Sequence, residues 1–358
     1  MKFNTQMRSV NAAAPRQYEG GDMRLHRWLS SLFAALALVA GAASPGRAEP
    51  VTIRFGWAVV PATIVPLLVE RKDLATHLGS SYNIELTHFQ GSPTLMTALG
   101  AHQIDIVTLA FSSFALAVVN GGMTDLRIIG GEAEDGAPGY NSNEFMVAKD
   151  SPIKTIEDLK GKVLATNVFG SAVDIAMRAL LRKHGLENKR DYTIIEVNFP
   201  NMRAMLADHR VDLISAVEPF SMDPGLRANA RTLFTERDAM GTSLLAFWVA
   251  HPDFLQKNRA AVLDFMEDFL RGVRWYLDPA NHAKAVAEVA RFLKQPPARF
   301  AWAFTKNDQY RSPDGVPNLA ALQSNIDLQR ATGFLNGKVD VQSHADLGLM
   351  AEAAKRLH

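Results

Sequence analysis

From Val51 onward, short apolar runs alternate with longer stretches whose apolar positions recur every three to four residues. Runs of about five apolar or β-branched residues read as strands, and the 3–4 spacing reads as amphipathic helix. Val51–Phe55, Ile84–His88, Asp105–Leu109 and Leu126–Ile129 predict strands. Between them, Ala62–His77 predicts a helix with Pro66 in its first turn, where proline costs no hydrogen bond. Ser92-Pro93 predicts a helix start, with serine as cap and proline at the first helical position, and Leu95, Met96 and Leu99 on one face. Ser112 opens a further helix. Strands alternating with helices imply a parallel sheet covered on both faces.

The pattern then restarts. Glu144–Ala148 predicts a strand, followed by a break at Asp150-Ser151-Pro152. Thr155-x-x-Asp158 and Ser171-x-x-Asp174 each have the spacing of a capping box, with Gly161 and Gly185 as the corresponding stops. Lys162–Thr166, Thr193–Val197 and Asp212–Ala216 predict strands, with a helix around Met202–Asp208, and Leu244–Ala250 predicts one more strand. Beyond Pro252 the chain is almost wholly helical: Arg259–Leu277, His282–Leu293 and Leu319–Phe334. The reading is two α/β units and a helical tail. The chain crosses between the units near residues 150 and 243, so one unit, 151–242, is inserted into the other, 49–150 plus 243–358.

Residues 1–48 stand outside this pattern. A basic start at Met23–Arg27 precedes an apolar run from Leu29 to Ala43, and Gly46-Arg47-Ala48 has small-x-small spacing. This predicts a secretory signal peptide cleaved after Ala48, with residues 1–22 as an upstream mis-start before Met23. The apolar run is about 15 residues, shorter than the ~20 of a spanning helix. Lys+Arg is 38 and Asp+Glu 37 in the 358-residue chain. Without residues 1–48, which hold six of the basic and two of the acidic side chains, the formal charge moves from +1 to −3. Such a balance offers no footprint for nucleic acid. Cysteine is absent, which excludes disulfides, thiolate-held metals and thiol nucleophiles. An exported, disulfide-free, mildly acidic protein fits a periplasm.

The chain contains no G-x-S-x-G, H-E-x-x-H, P-loop or G-x-G-x-x-G, and its ten histidines have no metal-ligand spacing. A binding protein with no cofactor and no metal is the simpler expectation. In an open parallel sheet, ligands bind beyond the carboxyl ends of the strands. Six loops meet that description: Trp57–Thr63, Gln90–Thr94, Ala110–Ser113, Asn167–Ala172, Asn198–Asn201 and Ala216–Phe220. They supply the candidate ligand contacts Trp57, Ser92, Phe111, Ser112, Asn167, Phe169, Gly170, Ser171, Asn198 and Glu218. Ser92, Ser112 and Ser171 each stand at a helix start, where free N–H groups suit an anion. Serine there also serves simply as a cap. The aromatic residues Trp57, Phe111, Phe169, Phe199 and Phe220 divide between core and ligand-facing readings. None of the six loops holds lysine or arginine. Glu218 reads either as a carboxylate at the Pro219 turn or as the partner of a ligand ammonium.

The run Ser151-Pro-Ile-Lys-Thr-Ile-Glu-Asp-Leu-Lys-Gly-Lys162 resembles the S-P-I-x-(S/T)-x-x-D-L-K-G-K segment of periplasmic solute-binding proteins of ABC importers, of the nitrate/sulfonate/taurine type. Phe169-Gly-Ser-Ala172 with the Arg178–Leu186 helix, Val211-Asp212 with Glu218-Pro219-Phe220, and Gly91-Ser-Pro-Thr with Ile104-Asp105-Ile106 are similar to further segments of that family. The likeness covers about residues 51–275. It implies the two-lobed, type II periplasmic-binding fold, with two mostly parallel sheets flanked by helices. It also implies a monomer that closes over a small-molecule ligand and delivers it to an ABC permease and ATPase. The expected ligand is a small organic anion or zwitterion such as an alkanesulfonate or taurine. The alternatives are a ring-bearing ligand (a pyrimidine vitamin precursor or an aromatic acid), a ligand sensor, or an enzyme on the same fold. The enzymes of this fold that make the thiamine pyrimidine use a cysteine motif, which this chain lacks.

Overall fold

The computed structural model describes residues 49–357; the expected signal peptide lies outside the described residues. The first half builds β1 (Val51–Trp57), α1 (Val65–Leu68), β2 (Tyr82–His88), α2 (Ser92–Gly100), β3 (Ile106–Leu109), α3 (Phe111–Val119) and β4 (Arg127–Asp135). Then follow β5 (Glu144–Ala148), β6 (Val163–Thr166), α4 (Ala172–Lys183), β7 (Thr193–Glu196), α5 (Phe199–Ala207), β8 (Leu213–Ala216), α6 (Pro224–Asn229), β9 (Ala230–Thr235) and α7 (Glu236–Met240). The chain returns through β10 (Ser243–Ala250), α8 (Pro252–Lys257), α9 (Arg259–Leu277), α10 (His282–Leu293), α11 (Leu319–Ala331) and α12 (Gly348–Arg356).

The strands form two five-stranded sheets, ordered β2-β1-β3-β10-β4 and β7-β6-β8-β5-β9. In each, one strand opposes the parallel set. β10 runs antiparallel to β3 and β4, and β5 runs antiparallel to β8 and β9. Both are strands that adjoin a crossing between the lobes, which is why a purely parallel pattern fails there. β5 pairs within the second sheet, so the first crossing is 136–143, ahead of residue 150. The second connection between the sheets is 236–242.

Local chemistry explains the other differences. Of the helix expected over Ala62–His77 only α1 forms, because beyond Leu68 the backbone turns through i−3 bonds at Glu70, Arg71 and Leu74. There Arg71 is pinned by Asp73 and Glu288. The Thr155–Asp158 box yields a single 3₁₀ turn, Glu157–Leu159, with the Asp158 carboxylate accepting the N–H groups of Lys154 and Thr155. The Ser171 box forms by half: its hydroxyl accepts from Asp174 N, but the Asp174 carboxylate takes Gly170 N instead of Ser171 N, and Gly185 stops α4 at φ +76°. α9 and α10 span the residues that their periodicity predicts.

The first sheet's outer face is filled by α9. Trp248 is fully buried there, stacked on Phe265 at 5.0 Å and packed on Phe55 and Phe269. Gly272 lets α9 approach α1 closely, since a Cβ would lie 3.0 Å from Leu68. A second apolar cluster joins the lobes. Its members include Phe111, Phe114, Leu322 and Ile326 of the first and Phe145, Leu164, Ala176 and Leu181 of the second. Within it α4 packs on α3 and α11. The Arg178 and Arg182 guanidinium groups sit over Phe334, and Arg182 bonds the Thr332 carbonyl.

Trp248→Ala removes the centre of the aromatic stack. Thermal or denaturant unfolding should show a loss of roughly 3–5 kcal/mol, the usual range for deleting a large buried aromatic. A loss below about 1 kcal/mol would show that this packing contributes little.

Candidate functional site

The carboxyl ends of both parallel sets face one another and enclose a cavity of about 90 Å³. From the first lobe come Ala58, Val59, Ala62 and Thr63 after β1, Gln90–Ser92 after β2, and Thr108 and Ala110 at the end of β3. From the second come Asn167 and Ser171 after β6, Ala172 and Val173 in the first turn of α4, Phe199 after β7, and Val217 and Glu218 after β8. The antiparallel strands supply Asn143 and Leu245–Ala246 at their starts, and Gln309 enters from the loop after α10. Two bonds seal the meeting of the lobes. Asn167 Nδ2 donates to the Gln90 carbonyl at 3.1 Å, and Ser112 Oγ donates to the Gly170 carbonyl at 2.9 Å.

Four of the ten residues singled out from sequence line this cavity: Ser92, Asn167, Ser171 and Glu218. Ser92 is not the cap of α2. Its hydroxyl accepts from Ala110 N at 3.1 Å, tying two cavity loops together. Ser171 is the cap of α4 and also donates to Asn167 Oδ1 at 2.7 Å. The other six sit elsewhere. Trp57 packs on His88 and Phe292, and Phe111 is fully buried in the core. Ser112 is fully buried beneath Gly170, whose φ of +82° shapes the entry to α4 and whose N–H donates to Asp174. Phe169 is 46% exposed, and Asn198 is exposed at the start of α5 without a side-chain cap bond. Loop position indicates nearness to a strand end but not which way a side chain turns.

The electrostatics rest on buried carboxyl groups. Glu218 is 3% exposed, and its Oε1 accepts from Asn141 Nδ2 at 2.5 Å. Burial first, and then the Asp308 carboxylate, hold its acid form well above the usual carboxyl range. Asp308 is paired with Arg311 at 2.9 Å. Asp135, the last residue of β4, and Glu236, the first residue of the second crossing, are buried side by side. Burial and the Glu236 charge push Asp135 up, and burial raises Glu236. They are met by Ser142, Asn143 and Ser243.

Sequence reasoning missed Asn143, Thr108, Leu245, Ala246, Val173 and Gln309. Asn143 and Gln309 lie in connections with no periodic signal. It also missed Glu132, which stands behind the cavity floor. Thr108 Oγ1 donates to Glu132 Oε2 at 2.9 Å, and Ile64 N donates to its Oε1 at 3.3 Å. Complete burial raises this carboxyl to about 7.

Residues 139–283 match the family described as NMT1/THI5 like. An aliphatic sulfonates-binding protein of Escherichia coli (strain K12) is 26% identical over 313 residues, covering 86% of this chain and 93% of that protein. The alkanesulfonate-binding protein SsuA from Xanthomonas axonopodis pv. citri, solved bound to MOPS, superposes with a TM-score of 0.66 at 22% identity over 84% of this chain and all of that one. The periplasmic nitrate-binding protein NrtA from Synechocystis PCC 6803 superposes with a TM-score of 0.67 at 14% identity, covering 87% and 90%. The chain has the two-lobed fold of these sulfonate- and nitrate-binding proteins.

Glu132 gives the fold a pH dependence. Its folded-state acid is weaker than its unfolded one, near 4.3, so the unfolded chain ionises first as pH rises. Stability contributed by the neutral form is complete below about pH 4 and falls between there and about pH 7, by ~3 kcal/mol in all. Glu132→Gln should flatten that segment of the stability–pH curve measured by denaturant unfolding. An unchanged slope would mean that Glu132 is ionised in the folded protein.

Proposed function

We propose that this chain is the substrate-binding component of an ABC importer. It is exported to the periplasm through a cleaved signal peptide and works as a monomer. It captures a small organic anion or zwitterion, alkanesulfonate-like or taurine-like, and delivers it to a membrane permease with its ATPase. The observation that carries the reading is the cavity walled jointly by both lobes at the carboxyl ends of their strands. A ligand held there is gripped from both sides, and its release requires the lobes to part about 136–143 and 236–242.

Binding rather than catalysis suits the lining. Among the described residues, no histidine, lysine, arginine or cysteine borders the cavity. The hydroxyls of Ser92, Thr108 and Ser171 are engaged within the protein. An anionic end is best received at the start of α4, where Ala172 and Val173 line the cavity and the first-turn N–H groups have no partner inside the helix. Asp174 already places a carboxylate at that helix end, on Gly170 N. The ring-bearing reading is supported by Phe199, which lines the cavity and stacks on Phe220 at 5.9 Å.

Calorimetric titration with alkanesulfonates, taurine, nitrate and small ring acids tests this, with small-angle scattering of the free and saturated protein. The expected outcome is one saturable site for a sulfonate and a smaller radius of gyration when it is filled. Tight binding confined to ring compounds would select the second reading. Steady turnover of a bound compound would overturn the binding-protein assignment.

A further inference from the structure

Gln309 belongs to no helix or strand and to no motif, yet it is 3% exposed and lines the cavity. Its amide nitrogen faces two oxygens, Asp135 Oδ1 at 3.4 Å and Asn143 Oδ1 at 3.3 Å. Both are acceptors for reasons outside Gln309. Asp135 Oδ1 takes the backbone N–H of Asn143 at 2.7 Å. The Asn143 amide is turned by Glu236, which takes its Nδ2 at 2.9 Å and leaves its oxygen towards Gln309. An oxygen of Gln309 in that position would stand against the side-chain oxygen of Asn143, acceptor against acceptor. The network therefore admits one orientation of the amide, nitrogen towards the crossings and carbonyl away from them.

That carbonyl, Oε1, is buried and has no hydrogen-bond partner in the protein. Other polar groups of the lining are committed: Asn167 to Ser171 and Gln90, Ser92 to Ala110, Thr108 to Glu132. A buried acceptor without a donor is costly, and a ligand that displaces water from it without donating a hydrogen bond forfeits affinity.

We infer that Gln309 is a specificity-determining residue and that the end of the ligand it receives carries an N–H donor: an amino group, borne by a small anion or by a ring. This rests on the cavity being the ligand site. The two crossings would then enter recognition directly, since their carboxyl groups decide which face of Gln309 the ligand meets.

Two matched pairs of probes test it by titration calorimetry: taurine against ethanesulfonate, and 4-aminopyrimidine against pyrimidine. In whichever pair binds, the amino compound should bind about tenfold tighter. Gln309→Leu and Gln309→Met, checked for folding by thermal melts, should reduce that preference to under about threefold by weakening the amino compound alone. The wild-type comparison requires no variant. Equal binding within a pair, a preference that survives both substitutions, or binding by no member of either pair would overturn the inference. Sulfonates that bind regardless of the amino group would overturn it while leaving the proposed function intact. Binding of 4-aminopyrimidine alone, dependent on Gln309, would sustain it while removing the sulfonate reading.

Discussion

Much of the structure follows from carboxyl groups buried where the chain passes between lobes. Among the described residues nine aspartates and glutamates are buried but only one arginine or lysine, Arg311. Asp174, Glu144, Asp268 and Asp308 pair with arginines, and the other five are met by neutral donors. Asp135 and Glu236 draw Ser142, Asn143 and Ser243 to the crossings, and Glu218 draws Asn141. Each of these bonds joins segments distant in sequence or bridges the two sheets. Arg311 reaches Asp308 and the Pro61 carbonyl, tying the late loop to the first one after β1. The cavity lies against this network, and the network sets its polar end.

The elements that were legible in sequence are those whose periodicity survives unaided. α9 and α10 are long and one-sided, and α4 has its cap and its glycine stop. α1 and β9 were obscured for opposite reasons. α1 is buried on all sides, so no polar stripe marks its end, and β9 is a sheet-edge strand whose Arg231 and Thr232 dilute the apolar signal.

The site was legible as a set of loops and much less as a set of side chains. Strand ends located most of the lining, including Asn167, Ser171 and Glu218. Whether a loop aromatic faces a cavity or the core depends on the opposite wall, which a single sequence does not show; Phe199 and Phe111 differ in this alone. Gln309 was invisible because its role comes from Asp135, Asn143 and Glu236, more than 70 residues away.

The seam of α4 against α3 and α11 has a thermodynamic consequence. A cleft that opened only by breaking polar bonds would exchange them for bonds to water at little cost in heat capacity. Parting α4 from Phe114, Leu322 and Ile326 also wets apolar surface. Closure of the proposed kind would lower the heat capacity, and the lobes would be held together less firmly as temperature falls, because apolar association weakens on cooling. In the proposed function, the balance between shut and parted lobes would be set in part by temperature, through side chains that lie outside the cavity lining.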